Sequence, residues 1–341
     1  MDINEKRACE AVAHLYHTLF TGLILTVVTR RGTADAARWM HDLFRTQHNA
    51  RFLSSFGKLG LVGMPPAVAC AAYHSLSNRI GGVDVEFIRE SDVKAWVRFP
   101  PPRWIYPGAA ICGIPSEVSR AMLTGWYAQN GVSLGIPGLR FVCTGQTVDC
   151  QPGLMGYFED TGKALAPAER LAFRPGETPP PYDPAAAPQP PVADWPADRL
   201  IKANRNYAIE YLRTGLPLLF RLFGVAEALH LGRTACWLVG AQLARDLATR
   251  VGADGSSASS VGTLLCRIGH GEGDVPSLRT ETDSVTITRS VLRALRDLPP
   301  QPPEFFSAWN ALNEGMVAGI NRFLTIDVVE HTADAVTWRI R

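Results

Sequence analysis

The stretch "CTGQTVDCQPG" sets Cys143 and Cys150 on either side of a turn, with Asp149 directly before the second cysteine and Arg140 just upstream of the first. A thiol becomes a nucleophile when a neighbouring cation or base stabilises its thiolate. Arg140 is local, whereas His74 or His270 could serve only if the fold brought them near. The alternative is that these cysteines are small hydrophobes in a core. A second constellation lies in "IDVVEH". A regular strand would place Asp327 and His331 on one face through Val329, with Glu330 on the other. An acid beside an imidazole orients it for general-base work; a solvated strand end explains the same residues without chemistry.

In "RIGHGEGDVP" the glycines suggest a loop presenting His270, Glu272 and Asp274. Imidazole and carboxylates suit a metal, but neither HxxxH nor HExxH spacing is present, so a metal requirement stays open. His14 and His17 stand one helical turn apart and could share an ion or be rim residues. Glu90 and Asp92 beside Arg89 recur as Glu281 and Asp283 beside Arg279, which suits either a site or strand-edge pairing. "GADGSSASSVG" lacks the GKS/T ending of a phosphate loop and reads as a loop feeding a helix. The candidate catalytic set is therefore Cys150, Cys143, Asp149, Asp327, His331 and His270, with no cofactor expected.

These residues must be held by helices and strands in a definite order. "ACEAVAHLYHTLFTGLILTVV" and "TADAARWMHDLFRTQHNARFLSSFGKLG" carry apolar residues at helical spacing, while "VDVEFI" and "VKAWVRF" alternate as half-buried strands. Pro115 followed by Ser116 and Glu117 predicts a helix start, with an end near Asn130-Gly131. In the later part, Pro303-Glu304 predicts a helix that runs to about Glu314. Closing hairpins are expected from "LRFVCTG" with "GLMGYFE" and from "RFLTIDVVEH" with "AVTWRI".

That order occurs twice. "LFTGLIL" meets "LRTGLPL", "RIGG" meets "RIGH", "IRESDVKAWVR" meets "LRTETDSVTITR", and Trp126 to Phe141 meets Trp309 to Phe323. A repeat this long is a duplicated domain rather than a solenoid unit. The fold class expected is α+β, two tandem homologous domains with helices on a small antiparallel sheet. The expected boundaries are 1–158 and 200–341, joined by a proline-rich linker over 159–199. "RPGETPPPYDPAAAPQPPVADWP" favours extended backbone, and Tyr182 and Trp195 could pin it against a domain surface.

Composition narrows the classes. The 341 residues are 46% hydrophobic and 19% charged, which describes a folded chain. A net charge of +2 with interspersed signs argues against nucleic acid as partner. Seven scattered cysteines without CxxC favour neither a disulfide framework nor a zinc ribbon and fit a reducing cytoplasm. The N-terminus lacks a signal-peptide layout. The apolar run Leu19 to Thr29 is too short to span a membrane, so a buried core helix and no membrane association are expected.

The layout resembles the superfamily that includes the vinyl-4-reductase domain and the L-2-amino-thiazoline-4-carboxylic acid hydrolase-like proteins. The features that carry it are the helical front, the central strands, a tryptophan-bearing helix and a glycine-flanked closing hairpin, best seen in "FFSAWNALNEGMVAGINRFLTIDVVEHTADAVTWRI". Cys143 and Cys150 bracket their turn in a manner similar to those domains; in the second half Thr325 and Thr332 or their neighbours replace them. The resemblance implies a small-molecule sensor or a hydrolase of nitrogen heterocycles. The reading is thus a cytoplasmic hydrolase acting on a small ring-containing or partly apolar substrate. The alternative is a small-molecule-binding sensor or carrier without catalysis, with Trp39, Trp96, Trp104, Trp126, Trp237 and Trp309 lining apolar pockets. Either could form a homo-oligomer.

Overall fold

The computed structural model describes residues 1–101, 108–189 and 195–341. Trp104 and linker residues 190–194 lie outside the described residues. The first copy of the repeat contains α1 (Ile3–Arg31), α2 (Thr33–Phe56), α3 (Pro66–Ile80), β1 (Glu86–Arg89) and β2 (Lys94–Phe99). It closes with α4 (Ser116–Gly125), α5 (Asn130–Leu134), β3 (Leu139–Gly145), β4 (Leu154–Asp160) and an added β5 (Leu171–Phe173). The second copy contains α6 (Ala197–Phe223), α7 (Val225–Val251), α8 (Ala258–Glu272), β6 (Val275–Thr280) and β7 (Val285–Ser290). It closes with α9 (Pro303–Ile320), β8 (Ile326–His331) and β9 (Ala335–Ile340). The protein is α+β, and the element order repeats.

The sheets repeat as well, with order β1-β2-β4-β3-β5 in one and β6-β7-β9-β8 in the other. Register makes the correspondence residue by residue. Cys143 opposes Gly156 where Val328 opposes Trp338, and in each sheet the ladder slips directly afterwards, at Cys143/Gly145 and at Val328/Glu330. Ala95 opposes Phe158 where Val285 opposes Ile340. A shared bulge in a shared register is what a duplication leaves behind. Val328, and not Thr325, thus stands at the place of Cys143.

Contacts divide the chain into two compact units, Val27–Pro196 and a second made of Met1–Thr26 with Ala197–Arg341. The grouping therefore departs from the 1–158 and 200–341 boundaries: α1 leaves its first 24 residues among the helices of the second copy. Tyr16, Leu19, Phe20 and Leu23 are fully buried, and Phe20 stacks on Tyr211 of α6 at 4.2 Å. This explains the apolar run near the N-terminus. Among the described residues α1 is the helix long and apolar enough to cross a membrane, and 72% of its apolar window is buried within the protein.

In the Val27–Pro196 unit, α3 packs on β2 and β4, and α2 packs on α4. Phe99, Phe141 and Phe158 point inward, all within 1% of full burial. The opposite face of this sheet is apolar too. Ile88, Trp96, Val142 and Tyr157 form a cluster covered by Ala172 of β5, and Glu177 ties down the covering segment by accepting from Lys94 Nζ at 3.0 Å and Tyr157 Oη at 3.0 Å. The expected linker is thus part of this unit. Tyr182 stays exposed.

In the other unit α8 packs on β6 and β7, and α7 lies along α9. Here the outward sheet face is polar: Thr288 and Thr337 share a hydrogen bond at 3.0 Å. The helix expected to stop near Glu314 continues to Ile320. Gly315 and Gly319 serve close approach in the middle of that helix. A Cβ at Gly315 would meet Trp237 O at 2.2 Å, and one at Gly319 would meet Ala241 O at 2.5 Å. In the first copy the corresponding Gly135 does end its helix, with φ of 70°.

Candidate functional site

The Met1–Thr26 and Ala197–Arg341 unit holds a cleft of about 350 Å³. Its walls come from the start of α1, the end of α7, one face of α8 and strand β6. The sequence builds each wall locally. Gly252, with φ of 67°, takes the left-handed cap that ends α7. Ser257 starts α8 by accepting from Ser260 N at 3.1 Å. Arg267 then donates from Nη1 to Val251 O at 2.5 Å and to Gly252 O, closing the end of α7. On α1, Asp2 Oδ1 accepts from Asn4 N and Glu5 N, both at 2.8 Å. Glu5 pairs with Lys202 at 2.8 Å.

Ala8, Val251, Pro276 and Leu278 give the cleft its apolar surface, and Thr263, Cys266 and His270 face it from α8. The Asp2 carboxyl is held below its usual range, first by the Glu5 N–H it accepts; His270 contributes a smaller electrostatic part. Burial pushes the Cys266 thiol up to about 11, so at neutral pH it is protonated and a poor nucleophile.

His270 is the one member of the expected catalytic set on this cleft. It sits in the last turn of α8, which corrects the loop reading of "RIGHGEGDVP"; Gly273, with φ of 94°, is the cap that follows. Glu272 and Asp274 turn inward and do not join it. Arg289 of β7 donates from Nε to Asp274 Oδ2 at 3.0 Å, from Nη2 to the same oxygen at 2.6 Å, and from Nη2 to Glu272 Oε2. Tyr16 Oη donates to Glu272 Oε1 at 3.0 Å, and Trp309 Nε1 donates to Tyr16 Oη at 3.4 Å. Burial pushes the Glu272 carboxyl up to about 7 against the pull of Arg289, with Asp274 adding repulsion. This fully buried network was missed from sequence. Its signal was present: Arg289 shares a strand face with Val285 and Ile287, where a charge must find a buried partner.

The remaining expected residues are dispersed. Cys143 is buried on β3, its thiol directed to Gly145 O at 3.5 Å and pushed up to about 12 by burial. Cys150 is exposed in a left-handed turn position with φ of 61°. Asp149 is engaged by Ser116 Oγ at the start of α4 and by Gln146 Nε2 at 2.8 Å. Arg140 is committed to Glu159, Nη2 to Oε2 at 2.6 Å. His74 is no base for them: its Nε2 accepts from Asn130 Nδ2 at 3.0 Å, and its ring stacks on Tyr127 at 4.0 Å. Burial holds it well below the usual imidazole range.

Asp327 and His331 are separated by the bulge. Their cross-strand partners are Arg339 and Val336, which lie on opposite faces of β9. Asp327 pairs with Arg341 at 2.9 Å, and His331 stacks on Phe306 at 3.6 Å. His14 stands 3.4 Å from Asp246. Arg89 pairs with Asp92 and Arg279 with Glu281, so the duplicated acids brace hairpins. Of the tryptophans, Trp39, Trp96 and Trp309 are buried in cores, whereas Trp237 is exposed. Among the described residues no three His, Cys, Asp or Glu side chains converge as metal ligands. No family model, curated protein or solved structure matches the chain.

Proposed function

We propose that the protein binds a small, partly apolar molecule in the cleft between α1, α8 and β6, without thiol chemistry. One observation carries the reading: a cleft of about 350 Å³ in which the apolar surface of Ala8, Val251, Pro276 and Leu278 lies among polar side chains, Asp2, Asn4, Thr263 and His270 included, a volume within the ordinary range of ligand sites, about 300–1,000 Å³. The cleft thiol is protonated and most of its charged groups already brace helix ends or pair with neighbours, so they orient a ligand better than they attack one. The test is a thermal-shift screen of small ring-containing compounds against the intact protein and Thr263→Trp, which fills the cleft. A binder at a hundred times its Kd should stabilise the protein by about 2.7 kcal/mol, and Thr263→Trp should abolish that gain. Compounds that stabilise both proteins equally would sink the proposal.

The hydrolase reading keeps one specific support, the imidazole of His270 on the same cleft near Asp2. It requires turnover of a compound that the screen identifies, with loss of turnover but retained binding in His270→Ala.

A further inference from the structure

The two sheets share a register but differ at one edge. In the first, β3 is flanked by β4 and also by β5, which runs parallel to it with Leu171 beside Phe141, Ala172 beside Val142 and Phe173 beside Cys143. The seating continues on both sides of the ladder: Phe141 N donates to Arg170 O at 3.0 Å, and Arg174 N donates to Cys143 O at 2.9 Å. In the second sheet β8 occupies the position of β3, and it has no second neighbour among the described residues.

By the shared bulge, Ile326, Asp327 and Val328 correspond to Phe141, Val142 and Cys143. The backbone polarity corresponds too. Thr325 and Arg341 exchange both of their hydrogen bonds, at 2.8 Å and 3.2 Å, so alternation along an antiparallel pair turns the N–H and C=O of Ile326 and Val328 toward the open edge. In the first sheet the same parity turns Phe141 and Cys143 toward β5. Around the open edge lie uncovered apolar side chains, Val328 at 41% exposure, Val329 at 51% and Phe323 at 79%. An unpaired edge with an apolar border is a template for strand addition.

The geometry points to β8 as a docking edge for an extended segment of a partner protein. That segment adds parallel to Ile326–Val328 as β5 adds to Phe141–Cys143, with the pattern apolar, basic, apolar. The outer positions follow Leu171 and Phe173, which lie on the inward side of their sheet. The middle position differs because Val142 is replaced by Asp327, a carboxylate that already pairs with Arg341 at 2.9 Å and that a Lys or Arg in the added strand would share. A second copy of this chain is a poorer occupant. A two-fold pair of β8 strands would run antiparallel, whereas β5, the strand that fills the corresponding edge of the first sheet, runs parallel.

The probe is a peptide of residues 166–176 of this chain with Lys in place of Ala172, added to the intact protein. Hydrogen exchange should show new protection of the Ile326 and Val328 amides. Affinity by fluorescence anisotropy should fall about tenfold or more, at least 1.4 kcal/mol on the usual conversion, in the Val328→Lys variant. A peptide with Asp at the middle position should bind more weakly than the Lys peptide. Val328 is partly exposed, and an unchanged thermal midpoint will show that its variant is folded. No protection at millimolar peptide overturns the proposal, as does protection that survives Val328→Lys. Protection that grows with protein concentration alone, together with a dimer in sedimentation, also overturns it and gives the edge to a second copy.

Discussion

Phe99 and Arg289 hold the same place in the two sheets, one opposite Leu154 and the other opposite Val336, and both are buried. The exchange of a ring for a guanidinium explains why Glu272 and Asp274 are buried beside it, since an unpaired charge there would be prohibitive. Two carboxylates share one Arg289, so one of them is left holding its proton near neutral pH. The consequence for stability has a definite sign. Glu272 titrates at about 7 when folded and near the ordinary glutamate value, about 4.3, when unfolded. Across that window the folded state binds more protons, so this group's contribution to stability declines as pH rises. Glu272→Gln should therefore gain on the wild type between about pH 5 and about pH 8 in paired urea titrations. Taking the difference between the two proteins cancels the opposite slope from His17 and His48, whose folded values lie at about 3 and about 4. An unchanged difference across that range would show that Glu272 stays ionised.

At the scale of elements, backbone proximity decides more than side-chain type. The α7–α9 pair is close because Gly240, Gly315 and Gly319 have no Cβ; one at Gly240 would lie 2.3 Å from Leu312 O. Gly315→Ala should destabilise by about 1–3 kcal/mol through overpacking against a carbonyl that cannot swing aside. Gly57 provides the contrast, being right-handed helical with φ of −62° and nothing within 4 Å of a built Cβ. Gly57→Ala should be neutral or stabilising by up to about 1 kcal/mol. Denaturant midpoints of the two variants check both signs, and equal midpoints would refute the packing account. Sequence placed Gly315 and Gly319 at a helix end because glycine signals both turns and close approaches. The same limit applied at β8: strict alternation put Asp327 and His331 on one face, and a one-residue bulge at Val329 moved them apart.

At the scale of the whole molecule, the duplication is not divided at the linker. The unit formed by residues 197–341 also includes Met1–Thr26, which supplies buried Val12, Leu15, Tyr16, Leu19 and Phe20. A fragment of residues 197–341 alone should then lack a cooperative unfolding transition. Adding a peptide of residues 1–26 should restore it, with tryptophan fluorescence reporting the return of Trp309 to its contact with Tyr16. Cooperative unfolding of the fragment by itself would show that α1 is dispensable.

By itself the sequence determined what local periodicity and punctuation control. These are the α+β class, the positions of most helices and strands, and the repeated order of elements. It also marked His270 as worth attention. Tertiary structure alone decided which distant residues meet. It carried the first helix into the second copy, pressed the proline-rich segment onto Trp96 and Tyr157, and enclosed Arg289 with Glu272 and Asp274. It dispersed the cysteine and aspartate candidates and assembled a cleft from Asp2, Thr263, Cys266 and Leu278, which no spacing connects. Periodicity reports the face a residue takes within its own element; which other element covers that face depends on contacts far apart in the chain, and no local pattern encodes them.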